Sequence, residues 1–187
     1  MEILSKEEVQ KRKDEILQWI KNNKVFIYPT DTIYGIGCNA TEFTAVKKIR
    51  EIKKRITTPF SVIAPSKEWI KNNCLIADEK WLDKLPGPYT LILPLKNIHA
   101  VAPNVSNGKT LGVRIPDHWF SSIIRELSFP IVTTSANIHG EPFMTSLETL
   151  SPEIQSQIDF IIYEGEKKGT PSTLIDLSQN DVKEIKR

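Results

Sequence analysis

Two polar segments that lie far apart in the chain carry the residue types that a ligand pocket needs. Residues 29–35 (PTDTIYG) follow the apolar run 25–28, and residues 112–116 (GVRIP) belong to a second apolar run. Hydroxyls, a carboxylate and a guanidinium therefore stand beside stretches that the apolar pattern predicts to be buried strands. Ligands of open α/β sheets bind in the crevice at the strand ends, so both segments indicate a pocket for an anionic small molecule.

A dense basic cluster, residues 47–55 (KKIREIKKR), lies between these two segments. Arg50 and the two lysines before it are interpreted as the solvated face of an amphipathic helix. Lys53 and Arg55 stand at the predicted end of that helix, where the helix dipole favours cations. The same two residues also suit a polyphosphate, because arginine offers a bidentate fork and lysine a point charge. The sequence leaves both interpretations of Lys53 and Arg55 open.

Arg114 is the charged residue inside the apolar run 111–115. One interpretation places it on an edge strand, facing water. The other holds it rigidly in a cleft, where it pairs with a carboxylate or a carbamate. Pro116 places Arg114 near the end of its strand, which favours the cleft.

Small hydroxyl and amide side chains recur in loops beside the predicted strand ends. Such residues are also common in plain turns, but convergent groups of this kind are what a small-molecule pocket uses for orientation. Their number favours the pocket. The residues are Thr30, Thr32, Thr58, Ser135, Asn137 and Ser172.

Several catalytic motifs are absent from the sequence. It contains no G-x-x-x-x-G-K-[ST], no G-x-G-x-x-G and no G-x-S-x-G. His99, His118 and His139 show neither ligand spacing nor a partner, and they are interpreted as surface residues. Cys38 and Cys74 lack the spacing of a zinc site or a disulfide framework, so we expect two buried, inert thiols. An enzyme with this sequence is expected to work by positioning and charge neutralisation.

The 187 residues carry 25 basic and 23 acidic side chains, for a net charge of +2. A balance so near neutral does not by itself indicate nucleic-acid binding. No linker is visible, and we expect a single domain over residues 1–187. The N-terminus lacks a signal-peptide core and no apolar run has the length of a membrane span, so we expect a cytoplasmic protein without membrane partners.

Strand and helix patterns interleave along the chain without strict order. We therefore expect an α/β fold with a twisted mixed sheet and packed helices. A capping box at Ser5 and Glu8 predicts one helix that continues to about Lys21, and Asp117 is predicted to cap another. A further helix is predicted to follow the segment 35–37. Strands are predicted at residues 25–28, 61–64, 89–93, 111–115, 130–134, 160–163 and 173–177.

These pieces, in this order, resemble the YrdC-like family of L-threonylcarbamoyladenylate synthases, from about Phe26 to Leu177. Each motif alone is weakly specific, whereas six motifs in family order are specific. The matching segments are residues 29–35, residues 53–55 with Pro59, and residues 86–90 (PGPYT), 112–116, 135–137 (SAN) and 171–176 (PSTLID).

The resemblance implies the fold and the reaction of that family. The fold would be a twisted α/β sheet with a concave, positively charged groove. The enzyme would join L-threonine, bicarbonate and ATP into L-threonylcarbamoyladenylate and release pyrophosphate, with Mg²⁺ assisting as the cofactor. A partner complex would then transfer the threonylcarbamoyl group to tRNA, which makes the reaction the first step of N6-threonylcarbamoyladenosine modification.

The resemblance also implies roles for individual residues, and none of these roles is a metal ligand or a covalent nucleophile. By motif position, the residues that bind L-threonine are Thr32, Arg114, Ser135 and Ser172. Those that bind ATP are Lys53, Arg55, Thr58, Thr110, Asn137, Thr145 and Arg187, with Lys53 and Arg55 as phosphate contacts.

The chain departs from the family pattern at two positions: Ile56 stands where relatives have proline, and His139 where they have serine. The resemblance implies the short form, without the extra C-terminal domain of longer members. Two other functions stay open. One is a non-catalytic RNA-binding module that uses the same basic groove, although aromatic residues for stacking are not interleaved with residues 47–55. The other is a paralogous adenylating enzyme.

Overall fold

A computed structural model of the protein describes residues 1–179 and 181–186. Within them, ten strands form one sheet in the order β1-β8-β2-β3-β7-β4-β6-β5-β9-β10. The strands are β1 (Glu2–Leu4), β2 (Phe26–Tyr28), β3 (Gly35–Gly37), β4 (Ser61–Ile63), β5 (Tyr89–Pro94), β6 (Thr110–Arg114), β7 (Ile131–Ser135), β8 (Phe160–Ile162), β9 (Thr173–Asp176) and β10 (Lys183–Ile185). Strand β8 runs parallel to β1 and β2, whereas β7 runs antiparallel to β3 and β4. The expected mixed sheet is confirmed.

Helices pack on this sheet, as expected. They are α1 (Lys6–Lys11), α2 (Lys13–Lys21), α3 (Phe43–Ile52), α4 (Lys67–Asn73), α5 (Phe120–Arg125) and α6 (Pro152–Gln155), with 3₁₀ turns at Glu79–Lys84 and Leu147–Thr149. Among the described residues, no helix has both the length and the apolar character needed to cross a membrane.

Two hydrophobic clusters lie on opposite faces of the sheet. Ile27 and Ile161 belong to the cluster that α3, α4 and α6 cover, whereas the neighbouring residues Phe26 and Phe160 belong to the cluster that α1, α2 and α5 cover. Successive side chains of a strand point to opposite faces, so strands buried on both sides read as continuous apolar runs. This is why these strands could be predicted from short apolar runs.

The predicted start of the first helix is confirmed, but its length is wrong. The Glu8 amide donates to the Ser5 hydroxyl at 3.2 Å, and the Ser5 amide donates to the Glu8 carboxylate at 2.7 Å. The helix then breaks at Arg12, whose φ of −110° and ψ of 27° are not helical. The Arg12 side chain pairs with carboxylates of Glu2 and Glu15, one on each side of the break.

The predicted cap at Asp117 is also wrong. Helix α5 begins at Phe120, with Trp119 in the capping position. The Asp117 amide instead donates to the Asp31 carboxylate at 3.0 Å. A tertiary contact therefore takes the place of the local cap.

The two cysteines lie where the sequence predicts, in the interior. Cys38 and Cys74 are free and buried. Burial raises the pKa of the Cys74 thiol to about 12 and also raises that of Cys38. The expected burial is confirmed; thiolate is the reactive form, so the inertness of both thiols stays a prediction that these pKa directions favour.

Helix α3 ends in a left-handed turn that carries a lysine where glycine is usual. The Lys54 amide donates to the Glu51 carbonyl at 3.1 Å, and the Arg55 amide donates to the Arg50 carbonyl at 2.9 Å. These two bonds form a Schellman motif, in which the residue in the left-handed conformation is most often glycine. Here that residue is Lys54, with a φ of 51°.

We expect Lys54→Gly to have a higher free energy of unfolding than Lys54→Ala, by about 0.5–1 kcal/mol. Glycine avoids the cost of the left-handed conformation, which is roughly 1–2 kcal/mol for other residues. It also loses more conformational entropy on folding than alanine does, and this loss offsets part of the gain. Both variants lose the exposed ion pair with Glu153, so their difference isolates the backbone effect. Urea denaturation with an unchanged m-value measures it. A glycine variant no more stable than the alanine variant would contradict the strain at this position.

Candidate functional site

A cavity of about 570 Å³ lies on one half of a sheet face, and no helix of the described residues contributes to its lining. Leu111 and Val113 of β6 point into the hydrophobic cluster beneath α3, whereas the alternate residues Thr110, Gly112 and Arg114 line the cavity. The floor is tightly fitted, since a Cβ atom added at Gly112 would lie 2.4 Å from the Ser61 hydroxyl oxygen. A strand that is apolar on one face and small or polar on the other thus builds the floor.

Most of the predicted site residues come together around this cavity. The loops after β2, α3 and β7 and the segment before β9 all contribute to its wall. The predicted residues that line it are Arg55, Thr58, Thr110, Arg114, Ser135, Asn137 and Ser172. Two arginines, Arg55 and Arg114, are among these lining residues, and the positive charge of the groove stays a prediction.

Arg114 lies in the interior of the sheet, and the edge-strand interpretation is wrong. Strand β6 pairs with β4 on one side and β5 on the other, and Arg114 is 5% exposed. Its Nη2 donates to Asp31 Oδ1 at 2.5 Å and its Nη1 to the Thr32 hydroxyl at 3.3 Å. Burial lowers the pKa of the guanidinium and Asp31 opposes this effect. Among the residues that the structure describes, its Nε has no hydrogen-bond partner.

The loop that faces Arg114 is held by its own hydroxyls. The Thr30 hydroxyl donates to the Ile33 carbonyl at 2.7 Å and accepts from the Thr32 amide at 3.1 Å. The segment before β9 crosses this loop so closely that a Cβ atom at Gly169 would lie 2.1 Å from the Thr32 carbonyl oxygen. Thr32 itself is buried and contacts the pocket through Arg114.

Lys53 lies behind the pocket wall. It is 1% exposed, and its ammonium donates to the Ser135 carbonyl at 2.6 Å and to the backbone and side-chain oxygens of Asn137 at 2.7 and 3.0 Å. Burial and the nearby charge of Arg55 lower the pKa of Lys53 to about 7. The ammonium therefore supports the Ser-Ala-Asn loop from beneath, and its direct contact with phosphate stays a prediction.

Arg55 is oriented by groups on several elements. Its Nη2 donates to the Pro59 carbonyl and its Nη1 to the Thr134 hydroxyl at 3.4 Å. The guanidinium carbon lies 4.9 Å from the centre of the Phe60 ring. Arg55 is thus fixed with its guanidinium at the cavity.

Two further ATP-contact predictions, at Thr145 and Arg187, stay untested. Thr145 is not among the residues that line the cavity, and its hydroxyl lies 3.3 Å from that of Thr149. Arg187 lies outside the described residues.

The interpretation of Arg50 as part of a solvated helix face is wrong, because its guanidinium donates to four backbone carbonyls. His118 is not a simple surface residue either. Its side chain is 11% exposed and its Nε2 lies 2.9 Å from Glu164. His99 and His139 are exposed, as expected.

Sequence reasoning assigned no role to Thr90, although it lies in the matched segment 86–90. Thr90 lines the cavity and its hydroxyl lies 2.7 Å from that of Ser172. Its position could have indicated a role, because it is a hydroxyl residue at the start of β5, just after Pro88. Phe143, which also lines the cavity, gave no signal in the sequence.

Comparison with protein-family models matches residues 18–187 to the Sua5/YciO/YrdC model, which carries the description "Telomere recombination". This match spans most of the chain. The chain belongs to the Sua5/YciO/YrdC family. The YrdC-like resemblance drawn from its motifs is confirmed.

Similar proteins in this family have named activities. A relative from Methanocaldococcus jannaschii is 36% identical over 98% of this chain and 88% of its own length. The threonylcarbamoyl-AMP synthase of Pyrococcus abyssi is 36% identical over 86% of this chain and 49% of its own. The crystal structure of Pyrococcus abyssi Sua5 complexed with L-threonine matches with a TM-score of 0.85 and 31% identity, over 97% of this chain and 55% of that one. The chain thus spans about half the length of these Pyrococcus relatives.

We expect Arg114→Met to lower the free energy of unfolding by about 3 kcal/mol, because it leaves the Asp31 carboxylate buried without its cation. The double variant Asp31→Asn/Arg114→Met should lose less than the sum of the two single variants. The exposed pair Lys13–Glu126 is the matched control and should couple by at most about 1 kcal/mol. Additive losses at Arg114 and Asp31 in urea denaturation would show that the pair does not act as a unit.

Proposed function

We propose that this protein synthesises L-threonylcarbamoyladenylate from L-threonine, bicarbonate and ATP, with release of pyrophosphate. The observation that carries this proposal is the meeting of two guanidiniums, those of Arg55 and Arg114, with hydroxyl side chains of six distant segments in one cavity. All three substrates are anionic or carry an anionic group. Their mutual repulsion grows as water leaves the cavity, and fixed cations offset it.

The Arg114 side of the cavity suits an amino acid. The guanidinium is held in place by Asp31 and Thr32, so little conformational freedom is lost when a carboxylate binds. Ser135 and Ser172, which carry hydroxyls, line the same space as Arg114. This arrangement supports the assignment of Thr32, Arg114, Ser135 and Ser172 to L-threonine.

The Arg55 side suits the nucleotide. Arg55, Thr58, Thr110 and Asn137 line it, and a cavity of about 570 Å³ falls in the range of small-molecule sites. In the proposed reaction the threonine amine and bicarbonate form a carbamate with loss of water. A carbamate oxygen then bonds to the α-phosphorus while the bond to the β-phosphate oxygen breaks, and pyrophosphate leaves. This displacement requires mainly alignment and charge stabilisation.

Mg²⁺ is proposed to arrive with ATP. The described residues contain no group of three or more His, Cys, Asp or Glu side chains placed to hold a metal ion. Asp31, which lies beside the cavity, is engaged by Arg114 and by the Asp117 amide. The ion would therefore be held by the triphosphate and would neutralise its charge there.

The product would be consumed by a threonylcarbamoyl transfer to tRNA, carried out by a partner complex. The near-neutral charge of the chain fits an enzyme that hands on a small molecule better than one that binds RNA by itself. RNA binding is therefore the alternative function against which the pyrophosphate test is designed.

Purified protein should release pyrophosphate from ATP when bicarbonate and L-threonine are both present, and omission of L-threonine should abolish the release. A coupled phosphate assay after pyrophosphatase treatment measures it. Exposed Arg125→Met serves as the control and should keep full activity. Release that does not depend on the amino acid would favour another adenylating enzyme. Tight binding of RNA without any release would favour the RNA-binding module.

Removal of divalent metal should stop pyrophosphate release and leave the thermal unfolding midpoint unchanged. The reason is that the ion is held by the nucleotide and not by a protein cluster. Because pyrophosphatase itself requires Mg²⁺, conversion of ATP is followed here directly by chromatography of the nucleotides, in EDTA and again after Mg²⁺ is restored. Thermal unfolding is followed in parallel. A lower midpoint in EDTA would mean that the protein itself holds a structural ion.

A further inference from the structure

The guanidinium of Arg50 gathers the carbonyl oxygens of the loop that carries Arg55 and Thr58. Its Nη1 donates to the carbonyls of Arg55, Ile56 and Thr58 at 3.0, 3.0 and 3.2 Å. Its Nε donates to the Asn104 carbonyl at 2.8 Å. Arg50 stands on the last turn of α3, so one side chain ties the loop 55–58 to a helix and to a second loop.

The loop 55–58 is not held by burial of its own side chains. Ile56 is 86% exposed, and Thr57 and Thr58 are exposed as well. Its two ends are fixed by backbone bonds, from the Arg55 amide to the Arg50 carbonyl and from the Phe60 amide to the Val105 carbonyl. Between these ends, the charge-assisted bonds of Arg50 hold the backbone, and such bonds are about twice as strong as neutral ones.

Arg50 acts from outside the cavity. It is not among the lining residues, whereas Arg55 and Thr58 are. The carbonyls of Arg55, Ile56 and Thr58 thus point to a guanidinium outside the cavity lining, which keeps their negative ends from a bound anion. Arg50 and Arg55 also both contact the Phe60 ring, with guanidinium carbons 4.6 and 4.9 Å from its centre. The position of one guanidinium is thus coupled to that of the other through the ring and the loop.

We propose that Arg50 is a positioning residue for the nucleotide side of the pocket. It holds the loop 55–58 in the conformation in which Arg55 and Thr58 face the cavity with their carbonyls turned away. This inference rests on the proposed function, in which ATP binds on that side. The Arg114 side is built on β6 and the loop after β2, to which Arg50 donates no hydrogen bond among the described residues. Loss of Arg50 should therefore weaken the binding of ATP and leave the binding of L-threonine unchanged.

The test compares Arg50→Ala, Arg50→Lys and the control Lys47→Ala. Lys47 lies on the same helix, with its side chain 63% exposed. In Arg50→Ala the KM for ATP should rise at least about tenfold, a loss of about 1.4 kcal/mol, and the KM for L-threonine should stay within about twofold. The KM for ATP of Arg50→Lys should lie between those of Arg50→Ala and the unsubstituted protein, because lysine keeps the charge but cannot reproduce the planar fork. Lys47→Ala should match the unsubstituted protein.

Added guanidinium ion at millimolar concentration should lower the KM for ATP of Arg50→Ala and leave Lys47→Ala unchanged. Equal KM values for ATP in Arg50→Ala and the unsubstituted protein would overturn the inference. A parallel rise of both constants would do so too, because it indicates general damage to the fold. Calorimetric titration with ATP alone separates this inference from the proposed function. If the unsubstituted protein binds ATP but makes no pyrophosphate with L-threonine, the function fails, while the ATP affinity of the Arg50 variants still decides the role of Arg50.

Discussion

The buried ion pair between Arg114 and Asp31 is the interaction on which the pocket depends. It joins an interior strand of the sheet to the loop after β2, and the second oxygen of Asp31 accepts the Asp117 amide after β6. Two charges removed from water must stay paired and hydrogen-bonded, so the guanidinium has one orientation and the loop has one path. A carboxylate ligand would meet a cation that is already in position. In this way the requirement for charge pairing in the folded state would also prepare the pocket for a carboxylate.

The space for the site comes from unequal cover of the two faces of the sheet. The cluster beneath α1, α2 and α5 draws its strand residues from β1, β2, β4, β7 and β8. Beyond β4, the same face carries Thr110 and Gly112 of β6 and Thr90 of β5, and these line the cavity. Small and polar residues do not bury apolar area against a helix, so this half of the face remains open. The opposite face of β5 and β6 is fully packed and keeps the floor rigid.

The elements with strong apolar patterns could be predicted, and the misses have physical causes. Strands β1, β3 and β10 are three residues long, and two of them are mostly exposed while β3 contains two glycines. Such segments have little strand propensity of their own and become strands only because a neighbour pairs with them. The break at Arg12 coincides with its ion pairs to Glu2 and Glu15, and the pairing with Glu2 of β1 is a tertiary contact that no helical pattern records. Arg50 could not be assigned because its acceptors are backbone carbonyls, which any sequence supplies.

The amino-acid sequence by itself determined which chemical groups are present, the order of the motifs that place the chain in its family, and the alternation that buries the main strands. Tertiary structure alone decided which cations face the cavity. Arg55 and Arg114 line it, while Lys53 lies beneath a loop and Arg50 behind another. The reason is that the surroundings of a charge depend on groups brought near by strand order. Lys53 meets the carbonyls of Ser135 and Asn137, more than eighty positions away, and no local pattern records that encounter.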